Sequence, residues 1–280
     1  MADKLARKRT ASSKKPPKPT PVLETGWNPA LYEQFHDLRL RPALDLMARV
    51  PTLPKGRVVD LGCGNGAAGP ALSLHFADRS IIGVDASPEM LAQASDNGAY
   101  KYCELGDVRS WEPPKPPALI FSNAVLNWVP GHDTVLPRLT GVLRAGGVLA
   151  CQMPDQHDAP SHKLAREVAA ALFPDRFSTP RPLHVRDMAF YADLLDGLGQ
   201  ADVWTCTYVQ KMDASREEHP VVTFTRATYL KPYLEALSET DQALYLAQYS
   251  REIEAAYPRT AGRALWFPFR RLFAVVKIPE

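Results

Sequence analysis

The stretch from Val58 to Gly66 reads Val-Val-Asp-Leu-Gly-Cys-Gly-Asn-Gly, and the remaining motifs of the chain are placed relative to it. Apolar residues and Asp60 lead into three alternating glycines, and a helix-forming run at 67–76 follows directly. The order of strand, glycine turn and helix is the context that a nucleotide-binding loop requires, since the ligand must approach the backbone closely. The stretch therefore predicts a corner that binds an adenosyl-type ligand.

The spacing of the glycines separates two kinds of ligand. A dinucleotide fold needs G-x-G-x-x-G, and Gly64, Gly66 and Gly69 can be placed in that frame. A better frame is Asp60-x-Gly62-x-Gly64-x-Gly66, in which the acid lies on the strand. That frame resembles motif I of the class I S-adenosylmethionine-dependent methyltransferases, so it favours S-adenosylmethionine over NAD.

Two further acids follow predicted strands. Asp85 ends the apolar run at 80–85, where a carboxylate can hold both hydroxyls of a ribose. Asp107 follows the predicted strand at 100–105, where it can accept a hydrogen bond from an adenine amino group. Each acid alone would be an ordinary turn residue, and the glycine loop is what favours a binding role.

Strands and helices alternate along the first half of the chain. Apolar runs at 118–123 and 148–153 continue the strand series, and further strands are predicted at 201–212 and 265–276. This alternation predicts an α/β fold with a doubly wound, mostly parallel, seven-stranded sheet of the Rossmann-like methyltransferase type. Proline-broken and helical segments at about 155–186 and 213–262 are interpreted as a helical cap over the crevice.

The first residues differ in composition from the rest. Residues 1–24 form a basic tail that we expect to be disordered, and residues 25–280 form the methyltransferase domain. Removing the seven bases and one acid of the first 20 residues from the totals of 33 and 31 leaves 26 bases and 30 acids. A body with a net charge near −4 argues against a large nucleic-acid-binding face. The tail itself could contact polyanions or act as a targeting peptide.

Other classes are disfavoured by composition. No uninterrupted apolar run reaches the roughly 18 residues of a membrane span, so we expect no membrane insertion. The four cysteines form no C-x-x-C pair, which favours reduced thiols in a cytoplasmic protein over disulfides or a zinc site. No motif indicates a metal, and the sequence does not determine the oligomeric state.

Several motifs together resemble one family, the trans-aconitate 2-methyltransferases. The motifs are Trp27-Asn28-Pro29-x-x-Tyr32, Asp60-Leu-Gly-Cys-Gly-Asn-Gly66, Gly83-Val-Asp85-x-Ser87-Pro88-x-Met90-Leu91, Ile120-Phe-Ser-Asn123-x-x-Leu126-x-Trp128 and Gln152-Met-Pro-Asp155. The resemblance runs from about residue 27 to the carboxyl end, and the basic tail lies outside it. It implies transfer of a methyl group from S-adenosylmethionine to a carboxylate of trans-aconitate or a similar small polycarboxylate, giving a methyl ester.

The motifs and the resemblance assign candidate residues to two ligands. The cofactor-binding candidates are Asp60, Gly62, Cys63, Gly64, Gly66, Asp85, Ala86, Met90, Asp107, Val108 and Asn123. A carboxylate is already ionised at neutral pH, so no general base is expected, and the enzyme need only position the acid and exclude water. Apolar positioning walls are expected from Trp27, Tyr32, Leu126 and Trp128, and cations for the unreactive carboxylates from Arg39, Arg41, His132, His162 and Arg271.

Three alternatives stay open at this point. A related carboxyl methyltransferase could act on another small acid or on an acid bound to an acyl carrier. A non-catalytic protein that binds an adenosyl ligand would carry the same loop. An NAD-dependent oxidoreductase would need a proton donor that the sequence does not offer, and the Ser-Asn-Ala-Val segment at 122–125 lacks the clamp of amine methyltransferases.

Overall fold

The computed structural model describes residues 40–177 and 184–280 of the chain. The basic tail and the candidate residues Trp27, Tyr32 and Arg39 lie outside the described residues.

Seven strands and ten α-helices occupy this part of the chain. The strands are β1 (Val58–Leu61), β2 (Ile81–Asp85), β3 (Tyr102–Leu105), β4 (Leu119–Asn123), β5 (Val148–Pro154), β6 (Gln200–Met212) and β7 (Leu265–Lys277). The helices are α1 (Arg41–Ala48), α2 (Gly69–His75), α3 (Pro88–Asp96), α4 (His132–Gly141), α5 (Pro160–Leu172), α6 (Pro174–Phe177), α7 (Met188–Asp196), α8 (Pro220–Arg226), α9 (Lys231–Glu235) and α10 (Glu239–Ala256). A short 3-10 turn, Leu126–Trp128, follows β4.

The strands form one sheet in the order β3-β2-β1-β4-β5-β7-β6. Strands β1 to β5 are parallel, and β7 is antiparallel to both β5 and β6. The predicted doubly wound, mostly parallel sheet is confirmed. The chain changes direction across the sheet between β1 and β4, and in such sheets ligands bind beyond the carboxyl ends of the strands at this switch point.

Both faces of the sheet are covered, which is why the central strands read as continuous apolar runs. Successive residues of a strand point to opposite faces, so Val58 packs with α1 and α2 whereas Val59 packs with α4 and α7. Both valines are almost completely buried. The two apolar layers hold the carboxyl ends of β1 and β4 in fixed positions.

The predicted helical cap is present as a third apolar cluster. Helices α5, α8 and α10 pack there against the first half of β7. The hydroxyl of Tyr249 donates to the carbonyl oxygen of Ser161 at 2.8 Å, and that of Tyr245 donates to the carbonyl oxygen of Ala165 at 3.0 Å. These bonds tie α10 to α5. The division of the chain at 24/25 and the bounds 155–186 and 213–262 stay predictions.

The helical segment predicted at about 213–262 contains three helices, α8, α9 and α10. Pro232 lies in the first turn of α9, where a missing backbone N–H removes no helical hydrogen bond, so it begins a helix. Ser238 caps α10, accepting a hydrogen bond from the Asp241 backbone at 3.2 Å. Across residues 40–177 and 184–280, no helix combines the length and apolar character needed to cross a membrane.

Candidate active site: two adjoining cavities

A cavity of about 700 Å³ opens at the carboxyl ends of β1, β2 and β4. We call it the glycine-loop cavity. Its lining residues are Asp60, Gly62, Cys63, Gly64, Asn65, Ala67, Ala68, Asp85, Ala86, Met90, Gly106, Asp107, Val108, Arg109, Asn123, Ala124, Val125, Trp128, Val129 and Pro130.

Part of the lining of this cavity is the turn that follows β1. The backbone N–H of Gly62 donates to the carbonyl oxygen of Val84 at 2.7 Å, which joins the turn to β2. Gly62 has a φ of +78°, and a Cβ placed on it would lie 2.3 Å from a methyl group of Val125. A side chain is therefore excluded at this position by both conformation and space.

The carboxylate of Asp85 is held by backbone groups on both sides. One oxygen accepts a hydrogen bond from the N–H of Gly64 at 2.8 Å, and the other from the N–H of Ser87 at 2.9 Å. Because the bonds come from the glycine turn and from the cap of α3, the carboxylate is fixed between two elements. Each oxygen keeps further acceptor capacity for hydroxyl groups of a ligand.

Asp60 is a buried acid at the end of β1, with 1% of its surface exposed. Burial raises the pKa of its carboxyl to about 7, and the charge of Asp85 acts in the same direction. The hydroxyl of Tyr100 donates to it at 2.7 Å and offsets part of the rise. A cationic group of a ligand would restore the charged form of this acid.

Asp107 is a further acid that lines the same cavity. Arg109 donates to its carboxylate at 2.9 Å from Nε and at 2.8 Å from its backbone N–H. Hydrogen bonds from the Arg109 side chain and backbone lower the pKa of Asp107 to about 2, so it is ionised at neutral pH.

A second cavity, of about 280 Å³, lies under the helical cap. We call it the cap cavity. It is lined by Ala124, Asn127, Trp128, Pro154, Asp155, Gln156, His157, His162, His184, Val185, Phe224, Thr228, Tyr229, Phe269 and Arg271. The residues come from the 3-10 turn, β5, α5, α8, β7 and the loops that join them, so the cavity exists only in the folded chain.

Three polar atoms in the cap cavity are buried without a hydrogen-bond partner among the described residues. They are Asn127 Oδ1, Gln156 Oε1 and Arg271 Nε. Unsatisfied buried polar atoms cost about 1–3 kcal/mol each, so native structures contain few of them. Three residues with such an atom line this one cavity, which favours a polar ligand there.

Arg271 is the cation of this cavity. Its side chain is buried, its Nη1 donates to Gln152 Oε1 at 3.0 Å, and its guanidinium lies 4.9 Å from the ring centre of Phe269. Burial lowers the pKa of Arg271 to about 10, which still leaves it protonated at neutral pH. Within the described ranges no carboxylate forms an ion pair with it. A buried guanidinium of this kind is a binding group for an anion.

His162 lines the same cavity as a neutral ring. Burial is the largest cause that lowers its pKa to about 3, and the charge of Arg166 adds to the effect. Its ring stacks against Tyr229 with ring centres 4.0 Å apart, and its Nδ1 lies 3.1 Å from Ser161 Oγ. At neutral pH this pKa leaves the His162 ring uncharged, because charging it would require desolvating an ion. A role of His162 in binding the acid stays a prediction.

The two cavities meet at Ala124 and Trp128, which line both of them. Ala124 has a φ of +60°, a left-handed conformation that non-glycine residues seldom adopt. Its backbone N–H donates to the carbonyl oxygen of Gln152 at 2.9 Å, which holds the conformation in place. Backbone strain of this kind concentrates at functional sites.

Comparison with known proteins identifies the family. Residues 58–147 match the model of a methyltransferase domain. A trans-aconitate 2-methyltransferase of Methylobacterium radiotolerans is 42% identical to this chain over 90% of the chain and 98% of the relative. The same enzyme of Azoarcus sp. is 45% identical over 89% and 98%, and that of Escherichia coli is 38% identical over 91% and 99%.

The chain belongs to the trans-aconitate 2-methyltransferase family.

Solved structures outside the trans-aconitate 2-methyltransferase family have the same fold. A methyltransferase-like protein of Bacillus halodurans superposes with a TM-score of 0.51 at 12% identity, covering 84% of this chain and 98% of that one. A phosphoethanolamine N-methyltransferase of Haemonchus contortus gives 0.51 at 16% identity over 90% and 56%. At these identities the likeness concerns the fold.

Most of the residues assigned to the cofactor line one cavity. Ten of the eleven lie on the glycine-loop cavity, from Asp60 to Asn123, and the exception is Gly66. A Cβ on Gly66 would lie 2.3 Å from Asn97 Nδ2 and 3.0 Å from the Cα of Ala94. Gly66 therefore permits close packing of the turn against α3 and does not line the cavity.

The residues assigned to the acid are more scattered. His132 lies in neither cavity: its Nδ1 is 2.6 Å from Tyr191 Oη, its Nε2 is 2.9 Å from the carbonyl oxygen of Leu126, and burial lowers its pKa. It positions the 3-10 turn that carries Trp128. Arg41 also lies outside both cavities, with its guanidinium 5.4 Å from the ring centre of Tyr208. Of the described residues that were assigned to the acid, Arg271 is the one that lines the cap cavity and is charged at neutral pH.

Several lining residues escaped the sequence analysis. Asn127, Gln156 and Tyr229 line the cap cavity, and Arg109 lines the glycine-loop cavity. Tyr100, which lines neither cavity, donates a hydrogen bond to Asp60. The role of Arg109 could have been predicted from the sequence, because a basic residue two positions after Asp107 can reach the carboxylate of that acid. Asn127, Gln156 and Tyr229 have no local signal, because they reach the cap cavity through tertiary packing.

Proposed function

We propose that this protein transfers the methyl group of S-adenosylmethionine to one carboxylate of trans-aconitate, or of a similar small polycarboxylate, to form a methyl ester. The observation that carries the proposal is the pair of adjoining cavities. One is lined by acids and a glycine turn, and the other contains a buried guanidinium, Arg271. A sulfonium nucleoside and a polyanion would complement these two charge patterns.

The residues that line the glycine-loop cavity complement the chemical groups of S-adenosylmethionine. Gly62 and Gly64 both have positive φ, and a Cβ on Gly64 would meet no atom within 4 Å, so a ligand can approach the turn. Asp85 would accept hydrogen bonds from the ribose hydroxyls, and Asp60 would lie near the amino group of the methionine part. Asp107 and Val108 would hold the adenine.

The cap cavity fits a small acid with more than one carboxylate. Arg271 would bind a carboxylate that does not react, because it lines the cavity and has no carboxylate partner among the described residues. The amide groups of Asn127 and Gln156 would contact a further polar group of the same acid. Phe269 and Tyr229 supply apolar wall between these polar groups.

The residues present suit methylation of a carboxylate. S-adenosylmethionine, when bound, supplies a methyl group on a positively charged sulfur. The acid is already ionised at neutral pH, with a pKa of about 4, so the chain need not remove a proton. Positive and negative charge cancel as this reaction proceeds, so strong solvation of the reacting carboxylate would slow it. Ala124 and Trp128 place apolar surface where the two cavities meet.

A second candidate is a carboxyl methyltransferase with a different small acid. The same observation favours it, since Arg271 recognises a carboxylate and does not by itself distinguish one polyacid from another. Its partner is then a small molecule in either case. We also place the enzyme in the cytoplasm, because Cys63, Cys103, Cys151 and Cys206 are all unpaired.

The test is turnover of labelled S-adenosylmethionine against a panel of acids. The panel contains trans-aconitate, other tricarboxylic and dicarboxylic acids, and monocarboxylic acids of similar size. We expect mass-spectrometric detection of a monomethyl ester of trans-aconitate and a kcat/KM that falls sharply for monocarboxylic acids. Equal rates on the monocarboxylic acids, or no ester from any acid, would contradict the proposal.

A further inference from the structure

A hydrogen-bond chain connects the two cavities through Gln152, which lines neither of them. Gln152 lies in β5 and is 1% exposed. Its Nε2 donates to Asn123 Oδ1, and its Oε1 accepts from Arg271 Nη1 at 3.0 Å. Asn123 lines the glycine-loop cavity and Arg271 lines the cap cavity. The chain crosses three neighbouring strands, β4, β5 and β7.

The orientation of each amide in this chain follows from chemistry. A guanidinium has donors only, so the group of Gln152 that faces Arg271 must be its oxygen. The nitrogen of Gln152 then faces Asn123, which must present its own oxygen in return. The group that Asn123 has left for the glycine-loop cavity is its NH₂. Arg271 thus determines the polarity of a group in the neighbouring cavity.

We propose that Gln152 is a positioning residue that couples binding in the cap cavity to binding in the glycine-loop cavity. The proposal rests on the function proposed above, in which one cavity takes the acid and the other takes S-adenosylmethionine. Gln152 accepts a hydrogen bond from Arg271, which lines the cap cavity, and the same side chain donates to the amide oxygen of Asn123. A shift of Arg271 toward a bound carboxylate changes the length of both hydrogen bonds.

Coupling of this kind is reciprocal. If the acid alters the affinity of the nucleoside, the nucleoside alters the affinity of the acid by the same factor. The register of the sheet favours transmission, because Gln152 is directly opposite Asn123 in β4 and Pro154 is directly opposite Arg271 in β7. The three side chains therefore have little freedom to respond independently.

Calorimetry measures the coupling. S-adenosylhomocysteine, which has no methyl group to transfer, is titrated into the protein with and without saturating trans-aconitate. For the wild type we expect the dissociation constant of S-adenosylhomocysteine to change roughly fivefold or more when the acid is present. In Gln152→Leu, which is of similar size and cannot hydrogen-bond, we expect that ratio to fall close to one. An unchanged ratio in Gln152→Leu would overturn the coupling.

Steady-state kinetics of a second variant separates positioning from loss of structure. Gln152→Glu places a carboxylate against Arg271 and neutralises it, so the KM for the acid should rise roughly tenfold or more above that of Gln152→Leu. Because a carboxylate only accepts hydrogen bonds, Asn123 must turn its NH₂ toward residue 152 in this variant, so the KM for S-adenosylmethionine should also rise, by a smaller factor than the KM for the acid. A purely structural role for Gln152 predicts that both substrates are affected equally in both variants, and that result would also overturn the proposal.

A matched control is Gln210→Leu, which changes another buried strand glutamine that lines neither cavity. It should keep the wild-type coupling ratio, and loss of coupling there would overturn the assignment to Gln152. Absence of turnover by the wild type would overturn the proposed function and this inference with it. Wild-type turnover with coupling that survives in Gln152→Leu would overturn the coupling alone.

Discussion

The glycine-loop cavity and the cap cavity share a wall but are assembled in different ways. The first takes most of its lining from short segments that each follow one strand, such as 60–68 and 85–90. The second draws on residues as far apart as Asn127 and Arg271. A site built at strand ends can be recognised from motifs, whereas a site built between a sheet and its cap depends on tertiary packing.

The two cavities also differ in charge. The glycine-loop cavity contains Asp60, Asp85 and Asp107, with Arg109 as a partner for the last of them. The cap cavity contains the buried guanidinium of Arg271, and its acid Asp155 is paired with Arg270 at 2.9 Å. Adjacent sites of opposite charge suit a cationic donor and an anionic acceptor. Three substitutions test this contrast.

Arg271→Met should have the largest effect. Removing the buried cation leaves a bound carboxylate unpaired at a cost of about 3–5 kcal/mol, so kcat/KM for trans-aconitate should fall by roughly a hundredfold or more. The dissociation constant of S-adenosylhomocysteine without acid should change much less. Because the ligand-free protein no longer buries an unpaired charge, its melting temperature should stay the same or rise.

The control for this variant is Arg270→Met, at the neighbouring position. In the Arg270–Asp155 pair the arginine side chain is 52% exposed and the aspartate 17%, and ion pairs at the surface contribute up to about 1 kcal/mol. A loss of kcat/KM in Arg270→Met as large as that in Arg271→Met would mean that general positive charge, and not the buried guanidinium, recognises the acid.

Gly62→Ala should have an intermediate effect, confined to the glycine-loop cavity. The positive φ alone should cost about 1–2 kcal/mol, and displacement of Val125 adds to it. Gly98→Ala is the matched control, since Gly98 has a φ of +69° and free space around it. Urea unfolding should show the backbone cost in both variants, and calorimetry should show weaker binding of S-adenosylhomocysteine only in Gly62→Ala. Equal binding by both variants would remove the special role of this turn.

Asp60→Asn should have the smallest effect on kcat/KM for trans-aconitate, and its main effect should be on how stability depends on pH. Burial raises the pKa of Asp60 from 3.8 to about 7, so between these values the native state holds a proton that the unfolded state has released. The contribution of Asp60 to the free energy of unfolding must therefore decrease as pH rises from about 4 to about 7. The slope is up to about 1.4 kcal/mol per pH unit.

The measurement is urea unfolding of both proteins at a series of pH values. The amide oxygen introduced by Asp60→Asn can still accept the hydrogen bond of Tyr100, so the variant should lack mainly this slope and gain stability relative to the wild type as pH rises. Parallel curves for the two proteins would show that Asp60 is ionised in the native state throughout the range.

The sequence predicted the sheet and the first cavity because their signals are local. Alternation of strands and helices determines the parallel part of the sheet, and the turn from Gly62 to Gly64 with Asp85 marks its switch point. The boundaries were less accurate where a proline could either end or begin a helix, as at Pro232.

The cation of the cap cavity was predicted only in part, for a physical reason. Five candidate cations were named from the sequence without a ranking, since burial decides which of them keeps its charge. His162 and His132 lose their charge when buried, whereas Arg271 keeps its own. One signal was available in the alternating pattern of β7, where Phe267, Phe269 and Arg271 share the inward face. An arginine that shares the buried face of a strand with two phenylalanines is more easily recognised as a buried cation than one in a loop or on a surface helix.

Ala124 has a consequence for the range of acids that the enzyme accepts. Ala124 lines both cavities, together with Trp128, and its backbone is left-handed, a conformation that bulky and β-branched residues avoid. Under the proposed function, a larger side chain here would change the space between the methyl donor and its acceptor. Exchanges at this one position are therefore a route by which related enzymes could evolve toward smaller or larger acids.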